Sequence, residues 1–374
     1  MQLCKVIMSV ATEYYNYLHT IPEEGFLEEK TATFLEQELK TMGYEVIAKV
    51  DGKTGLVGIL DSGVEGPVVA FRSDIDALGH VIDGVHVSRH TCGHDGHMSM
   101  LLAAAKEIKE KNLVKKGKLK LLFQPAEELG TGALSMIAGG VIDDLDWAFG
   151  AHVRPFEEVQ NGQASSAIHY AASCRMIVTF HGTPAHGARP HLGVNAIDAA
   201  TAAVVAVNAI HLKPTENYSV KATRFLCDSG VTNAIPDKAV VTWDLRAQHN
   251  DTMQELCEKF VPAVTAAAAT VGATVTIDDS QRCHAAILDK EATALLVETI
   301  CDVLGPENLV DEIYTPGSED FFFYNMANPR LKSGFFGLGC DLRPGLHHPD
   351  MHFDVSALDN GVKIWTALCT KLLG

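Results

Sequence analysis

The spacing of apolar and polar residues predicts alternating helices and strands in the first part of the chain. A helical period runs from Lys30 to Met42, and the apolar runs Leu56–Leu60 and Val68–Phe71 are typical of buried strands. The stretch "MSMLLAAAKEIKEK" has a helical pattern and leads into the strand-like "KLKLLFQ". Strands separated by helices favour an α/β domain with a mainly parallel sheet, whose active site lies at the carboxyl ends of the strands.

The pattern changes from about Ser173. The strand-like segments "CRMIVTFHG", "AVVTWDLRA" and "ATVTIDD" are interleaved with two long alanine-rich helical stretches. If Val220–Phe225 is also a strand, the order is strand, helix, strand, strand, helix, strand, which fits a small ferredoxin-like α+β sandwich. We therefore expect a catalytic domain of residues 1–170 and 282–374, with an inserted domain of residues 171–281.

The N-terminal stretch "MQLCKVIMSVATEYYNYLHT" is interpreted as a first amphipathic helix, because it lacks the basic start and the cleavage site of a secretory signal. No apolar run reaches the length of about 18 residues that a membrane span requires. The nine cysteines are scattered from Cys4 to Cys369 without paired CxxC spacing. This pattern is typical of reduced thiols, so the expected location is the cytoplasm.

The composition limits the classes of partner. Of the 374 residues, 47% are apolar and 21% are charged, which is typical of a globular protein. The formal net charge of −17 argues against nucleic acid and against an anionic membrane as the main partner. It does not exclude a small anionic substrate, because a few local arginines suffice to hold one.

The segment "RHTCGHDGHMSM" contains the first candidate metal ligands. Cys92 and His94 stand two positions apart, directly before the predicted helix. Thiolate and imidazole both suit zinc, and imidazole also suits manganese, cobalt and nickel. Taken alone, the segment is better explained by a buried thiol beside a hydrogen-bonded histidine.

Three later segments add candidate ligands at predicted strand ends. In "LLFQPAEELG" the adjacent Glu127 and Glu128 follow a strand, and such a pair can divide metal binding and general-base catalysis. A solvated pair at the start of a helix would also explain them. His152 ends the apolar stretch of "DWAFGAHVRP", and "LRPGLHHPDMHFD" holds three histidines. Together the four segments supply enough ligands for two metal ions.

Five motifs in this order resemble the M20 metallopeptidase family: "HTCGHDGHMSMLLAAAK", "LLFQPAEE", "GAHVRP", "GTPAHGARPHLGVNAIDAA" and "GLHHP". The closer similarity is to the amidohydrolase branch of that family. This branch includes aminoacylases, indole-acetyl-amino-acid hydrolases and N-acetyl-diaminopimelate deacetylases. The resemblance spans nearly the whole chain.

The resemblance implies a centre of two divalent metal ions, Zn, Mn, Co or Ni, with five ligands: Cys92, His94, Glu128, His152 and His347. Glu127 would be the general base that takes a proton from a metal-activated water. His348 stays open as an alternative to His347. Many relatives have His-x-Asp where this chain reads "RSDIDAL", so Asp74 replaces a ligand and Cys92 compensates for it.

Two further aspartates receive supporting roles. Asp76 would orient a metal ligand from outside the coordination sphere. Asp95 would either do the same or cap the helix that begins near Gly96. Arg154, two positions after His152, would favour an acidic substrate or form a surface salt bridge.

The resemblance also assigns roles in the inserted domain, which would act as a lid and form a homodimer. His186 in "HGTPAHGARPH" would reach the active site of the other subunit and stabilise the oxyanion. Asn233 and Arg246 would hold the free carboxylate of the substrate, a task that suits the planar fork of arginine. Without the resemblance, Arg246 would be interpreted as a surface arginine at a strand end.

The predicted reaction is cleavage of an N-acyl amino acid, or another amino-acid conjugate, into a carboxylic acid and a free amino acid. A cytosolic metallo-dipeptidase or aminopeptidase of the same family is the alternative, although no acidic cluster for a free α-amine is evident. A cysteine amidase with Cys92 as nucleophile would leave the Glu127–Glu128 pair without a role. A non-enzymatic binding module would not need the complete ligand set.

Overall fold

A computed structural model describes residues 8–374, so Cys4 and the start of the predicted N-terminal helix lie outside the described residues. The described chain divides into two compact units. The first comprises residues 8–168, 287–313 and 320–374, and the second comprises residues 169–286 and 314–319. Among residues 8–374, none of the helices combines the length and the apolar character that a membrane span requires.

The α-helices of the described chain, in chain order, are α1 (Val10–Leu18), α2 (Glu29–Thr41), α3 (His94–Glu110), α4 (Gly132–Ala138), α5 (Ala196–Asn208), α6 (Asn250–Ala269), α7 (Lys290–Leu304), α8 (Phe323–Ala327) and α9 (Leu358–Leu373). The strands, in chain order, are β1 (Glu45–Ala48), β2 (Leu56–Asp61), β3 (Val68–Asp74), β4 (Leu78–Ile82), β5 (Val85–Arg89), β6 (Lys118–Gln124), β7 (Trp147–Pro155), β8 (Ala164–Ser165), β9 (Ile168–Tyr170), β10 (Ala172–His181), β11 (Ala185–His186), β12 (Tyr218–Cys227), β13 (Ala234–Ile235), β14 (Lys238–Ala247), β15 (Thr274–Cys283), β16 (Leu309–Val310), β17 (Ile313–Thr315) and β18 (Lys332–Leu342).

The first unit is built on an eight-stranded sheet in the order β1-β2-β6-β3-β7-β18-β8-β16. Its central strands β6, β3, β7 and β18 run parallel, and β2 and β1 extend one edge in antiparallel pairing. The predicted α/β class with a mainly parallel sheet is confirmed. Carboxyl ends of parallel strands share one edge of a sheet, so the segments that follow β3 and β6 meet there.

Helix α3 begins at His94, before the apolar pattern that starts at Met98 and before the expected start near Gly96. Gly93 has a left-handed conformation with φ 85°, which turns the chain directly into the helix. The helix packs against α1, α9 and the sheet, and most of its side chains are buried. On the same side, the Trp365 ring of α9 lies 4.6 Å from the Phe71 ring, measured between centroids. This packing holds α3 and α9 against the sheet.

The second unit contains a four-stranded antiparallel sheet in the order β12-β14-β10-β15. Helices α5 and α6 pack against each other and against this sheet. The Trp243 ring of β14 lies 5.3 Å from the Phe260 ring of α6, and both side chains are buried. The sequence β10, α5, β12, β14, α6, β15 has the predicted ferredoxin-like order of elements. Its part in dimerisation or as a lid stays a prediction.

Candidate metal centre

Four segments of the first unit bring the five predicted ligands together. Cys92 directly precedes α3 and His94 opens it, with Gly93 between them. A side chain at this glycine would meet Val153 at 2.4 Å, so the close approach of the loop to β7 requires glycine. The other three ligands are Glu128 in the short 3-10 turn Glu127–Leu129 after β6, His152 on β7 and His347 in the loop after β18.

The ligand atoms form two overlapping groups. Cys92 Sγ lies 3.5 Å from His152 Nε2 and 3.3 Å from His347 Nε2. His347 Nε2 lies 3.3 Å from Glu128 Oε1, and His94 Nε2 lies 4.0 Å from the same oxygen. In each of the groups Cys92–His94–His152 and Cys92–Glu128–His347, the ligand atoms lie within 4.8 Å of one another. The two groups share the sulfur atom.

Two buried polar atoms of this cluster test whether it fits a metal. His94 Nε2 and Glu128 Oε1 have no hydrogen-bond partner among the described residues. Such an atom costs about 1–3 kcal/mol if it stays unsatisfied. A divalent cation would satisfy both, and sulfur, imidazole and carboxylate together suit the first-row metals named above. The residues therefore fit a metal centre.

The charges of the cluster also favour a cation. Burial raises the pKa of Cys92 well above its ordinary value, and the carboxylates of Glu128 and Glu127 raise it further. Burial alone would lower the pKa of His94, but the carboxylates of Asp74 and Asp76 raise it to about 10. A site that holds a proton this strongly is a site of negative potential, which attracts divalent metal as well.

Hydrogen bonds fix which nitrogen of each buried histidine faces the cluster. His94 Nδ1 lies 3.0 Å from the backbone oxygen of Asp76 and 3.1 Å from its Oδ1. His152 Nδ1 lies 2.6 Å from the backbone oxygen of Val153. In both rings Nδ1 is therefore the donor and Nε2 is available as a ligand. Asp76 also accepts the Glu128 N–H with Oδ2 at 3.0 Å, so it holds two predicted ligands at once.

The partners of Asp95 differ from those that its two expected roles imply. Helix α3 begins at His94, so Asp95 lies inside the first turn and does not cap the helix. Its Oδ2 lies 2.6 Å from His19 Nδ1, and its Oδ1 accepts the Gly96 N–H at 2.9 Å. None of these partners is a predicted metal ligand. The side chain ties α3 to the end of α1.

Asp74 belongs to a buried ionic network that the sequence did not reveal. Arg72 Nη1 donates to Asp74 Oδ2 at 2.7 Å, and His97 Nδ1 lies 2.7 Å from Asp74 Oδ1. His97 Nε2 accepts the Val153 N–H at 2.9 Å, so this histidine links Asp74 to β7. The one sequence signal for this network is Arg72 itself, a charged residue inside the apolar strand "VVAFRSD". Because a buried arginine needs partners, that signal predicts an acidic neighbour.

The structure also shows where three other residues with predicted roles lie. His152 lies inside β7 and not at its end, because the parallel pairing with β18 continues beyond it. His347 and His348 are both exposed, but His347 Nε2 lies 3.3 Å from Cys92 Sγ, whereas His348 accepts the Asp350 N–H on its Nδ1. Arg154 donates to Glu158 from Nε at 2.7 Å. Of its two expected roles, Arg154 has the ion pair, although the arginine is buried and not on the surface.

Glu127 stands at the edge of the ligand cluster. One of its carboxylate oxygens lies within 4.8 Å of the ligand atoms of both His94 and Glu128. The residue before it, Ala126, has a left-handed backbone with φ 50° and ψ 41°. Both glutamates of this turn are partly buried.

The remaining predicted residues belong to the second unit, where their contacts are local. His186 is exposed, accepts the Ala188 N–H on Nδ1 at 3.0 Å, and pairs across the β11–β13 ribbon with Ala234. Asn233, next to that ribbon, accepts the Gly187 N–H with its backbone oxygen at 2.7 Å. The Arg246 guanidinium pairs with Asp244 at 3.1 Å.

Similar proteins supply an independent comparison. The sequence model of the family "Peptidase family M20/M25/M40" matches residues 70–371 of this chain. The "IAA-amino acid hydrolase ILR1-like 5" of Arabidopsis thaliana is 29% identical over 95% of this chain and 85% of that protein. The "N-acetyl-L-cysteine deacetylase" of Bacillus subtilis (strain 168) is 31% identical over 91% of this chain and 83% of that protein. A solved structure of the Bacillus subtilis YXEP protein, titled a dinuclear metal binding peptidase from the M20 family, matches with a TM-score of 0.78 at 23% identity, covering 97% of each chain.

Proposed function

The chain belongs to peptidase family M20/M25/M40, and we propose that it is a metal-dependent amidohydrolase that cleaves N-acyl amino acids or other amino-acid conjugates. The resemblance seen in the sequence motifs is thereby confirmed at the level of the family. The convergence of Cys92, His94, Glu128, His152 and His347 in two overlapping ligand groups, of which Cys92, His94 and His152 are buried, is the observation that carries the proposal. The names of the similar proteins, hydrolases of acylated amino acids, support the same substrate class.

In this proposal the five ligands hold two divalent ions, whose identity among Zn, Mn, Co and Ni stays open. When bound, such ions act as Lewis acids on water and on a carbonyl oxygen. Glu127 takes a proton from the attacking water and delivers it to the nitrogen of the leaving amino acid. The C–N bond breaks, and the products are a carboxylic acid and a free amino acid. Asp76 keeps His94 and the turn of Glu128 in place throughout.

The residues of the second unit complete the proposal. Asn233 and Arg246 bind the free carboxylate of the substrate, and Asp244 keeps the guanidinium in position until the substrate arrives. His186 stabilises the oxyanion in the active site of the other subunit of a homodimer. The exposure of His186 supports a role that requires a second surface.

The two competing enzyme classes receive less support. For a dipeptidase or aminopeptidase, the names of the two relatives above give no support, since they describe hydrolysis of acylated amino acids. For a cysteine amidase, Cys92 needs to ionise readily, but burial and the neighbouring carboxylates raise its pKa. Cys92 also lies between two imidazoles and a carboxylate, which is the surrounding of a ligand.

The test is hydrolysis of a panel of N-acyl amino acids and dipeptides, measured before and after removal of metal by a chelator. We expect chelation to abolish release of amino acid, and Mn, Zn, Co or Ni added back to restore it. Parallel treatment with a thiol-alkylating reagent serves as the contrast. Hydrolysis that survives chelation but is lost on alkylation would assign the reaction to Cys92 and overturn the metal mechanism.

A further inference from the structure

The turn that carries Glu127 and Glu128 has an unfavourable backbone conformation. Ala126 is fully buried and left-handed, with φ 50° and ψ 41°. For a residue with a Cβ atom, this conformation costs about 1 kcal/mol or more relative to a right-handed one. Some contact therefore has to hold Ala126 in place, because a switch of this one residue would redirect both glutamates.

Glu28 makes that contact from a distant part of the chain. It precedes α2, is fully buried, and accepts the Ala126 N–H on Oε1 at 2.9 Å. Its other oxygen accepts the hydroxyl of Thr54. Two positions further on, the Glu128 N–H donates to Asp76 Oδ2 at 3.0 Å. Two buried carboxylates from different segments therefore hold the two ends of the turn.

Two glycines show how closely the rest of the chain packs on this turn. A Cβ atom on Gly25 would lie 3.0 Å from Ala126 Cα, and one on Gly132 would lie 1.6 Å from the Pro125 backbone oxygen. The Gly132 N–H also donates to the Ala126 backbone oxygen at 3.2 Å. Backbone atoms thus confine the turn on both sides. Within that space, the hydrogen bond that the Ala126 N–H donates selects the orientation of the Ala126 backbone.

We propose that Glu28 is a positioning residue of the active site, whose carboxylate holds Ala126 in the left-handed conformation and thereby aims Glu127 and Glu128. The inference rests on the proposed roles of these two glutamates. Burial raises the pKa of Glu28 more than the hydrogen bonds from Thr54 and Ala126 lower it, so a carboxylate is costly at this position. A residue that only filled the core would not need one. The need for an acceptor at the Ala126 N–H explains its presence.

The test compares two substitutions of Glu28 that differ in the acceptor they offer to the Ala126 N–H, with a control at the neighbouring position. Glu28→Gln keeps an oxygen acceptor and presents its amide to the Thr54 hydroxyl, so we expect metal affinity and kcat near those of the wild type. Glu28→Asp keeps the charge but withdraws the acceptor by one methylene. We expect it to lose about 10–100-fold in metal affinity and in kcat, with a smaller change in KM. Glu29→Ala, at the exposed neighbouring position, is the matched control.

Hydrogen–deuterium exchange of the metal-free protein gives a readout that depends on neither metal nor substrate. For the peptide that contains Ala126, we expect faster exchange in Glu28→Asp than in the wild type or in Glu28→Gln. Adding Ala126→Gly to Glu28→Asp should recover part of the lost metal affinity and kcat, because glycine adopts the left-handed region without a steric penalty. Glu28→Ala provides the same comparison without a side-chain acceptor.

Wild-type exchange and metal affinity in Glu28→Asp would overturn the inference, and so would a loss in Glu28→Gln as large as that in Glu28→Asp. Failure of Ala126→Gly to restore anything would also contradict it. These results are distinguishable from failure of the proposed function, in which the wild-type protein itself would show no chelator-sensitive hydrolysis.

Discussion

The metal cluster and the proposed carboxylate-binding residues differ in how their side chains are held. In the first unit, His94 is 1% exposed, and its ring is fixed by Asp76 through two contacts. In the second unit, the side chain of Arg246 is 34% exposed and pairs with Asp244, whose side chain is 42% exposed. The buried members of the cluster are held by the fold, although His347 is itself 55% exposed. In the proposed function, the exposed pair would exchange its partner for a substrate.

This difference has an energetic reason. A buried ion or polar atom is costly unless each of its bonding positions is satisfied, so the fold supplies Arg72, Asp74 and His97 behind the cluster. An exposed ion pair contributes only about 0–1 kcal/mol, so its replacement by a substrate carboxylate costs little. We therefore expect substitutions in the first unit to affect metal and chemistry, and substitutions in the second to affect substrate binding or the oxyanion.

The largest loss of turnover is expected for Glu127→Gln. The amide cannot accept a proton, so kcat should fall about 10²–10⁴-fold while the metal content stays that of the wild type. Elemental analysis beside steady-state kinetics checks both parts, with the exposed Glu29→Gln as control. Loss of metal together with activity would make Glu127 a ligand instead of the base, and a retained rate would remove it from the mechanism.

A pair of adjacent histidines sharpens the comparison within one loop. We expect His347→Ala to lose bound metal and roughly a thousandfold in rate, because a metal ion supplies several kcal/mol of transition-state stabilisation. His348→Ala, one position further on, should keep both, since that side chain accepts the Asp350 N–H and belongs to none of the candidate ligand groups among residues 8–374. Metal titration of the two variants measures the contrast, and the reversed result would assign the ligand to His348.

His186 tests whether the second unit acts across a dimer. His186→Ala should lower kcat about 10²–10³-fold without loss of metal, because an oxyanion donor is removed. If the histidine acts in the other subunit, mixing this variant with Glu127→Gln restores one intact site per mixed dimer. After subunit exchange, roughly a quarter of the wild-type rate is then expected. No recovery in dimers shown to be mixed would place His186 in its own subunit's site or outside catalysis.

The smallest effect is expected at Arg246. Its replacement by alanine removes a charged hydrogen bond worth about 1.5–3 kcal/mol, so KM should rise about tenfold or more with little change in metal content. Arg224→Ala, an exposed arginine on the neighbouring strand β12, is the matched control. An unchanged KM, or a loss of metal, would erase the distinction between the two units.

The strands and helices were the most predictable part of the molecule. The segment "KLKLLFQ" is strand β6 from its first residue to its last, because its apolar run is bounded on both sides by turn residues. Helix α3 starts at His94, two positions before the expected start near Gly96 and four before the apolar pattern at Met98, since its first turn is polar and faces the cluster. There the candidate ligands override the apolar pattern.

The candidate ligands of the site were predictable from the sequence, but the hydrogen bonds that hold the site in place were not. Family motifs indicated the ligands, which the structure brings together. The bonds from Arg72 to Asp74, from Asp95 to His19 and from Glu28 to Ala126 were not foreseen. The last two join residues 76 and 98 positions apart, and no local pattern encodes such a pairing. Likewise, the left-handed backbone of Ala126 has no sequence signal, because alanine rarely adopts it.

The most direct test of the metal mechanism is titration of the metal-free protein with Mn, Co, Zn or Ni, with bound ions and amide hydrolysis measured on the same samples. The ligand cluster predicts that hydrolysis of an N-acyl amino acid appears with binding and reaches its maximum at two ions per chain. Full hydrolysis by protein shown to be free of metal would contradict the mechanism, and saturation at a single ion would contradict the two-metal centre.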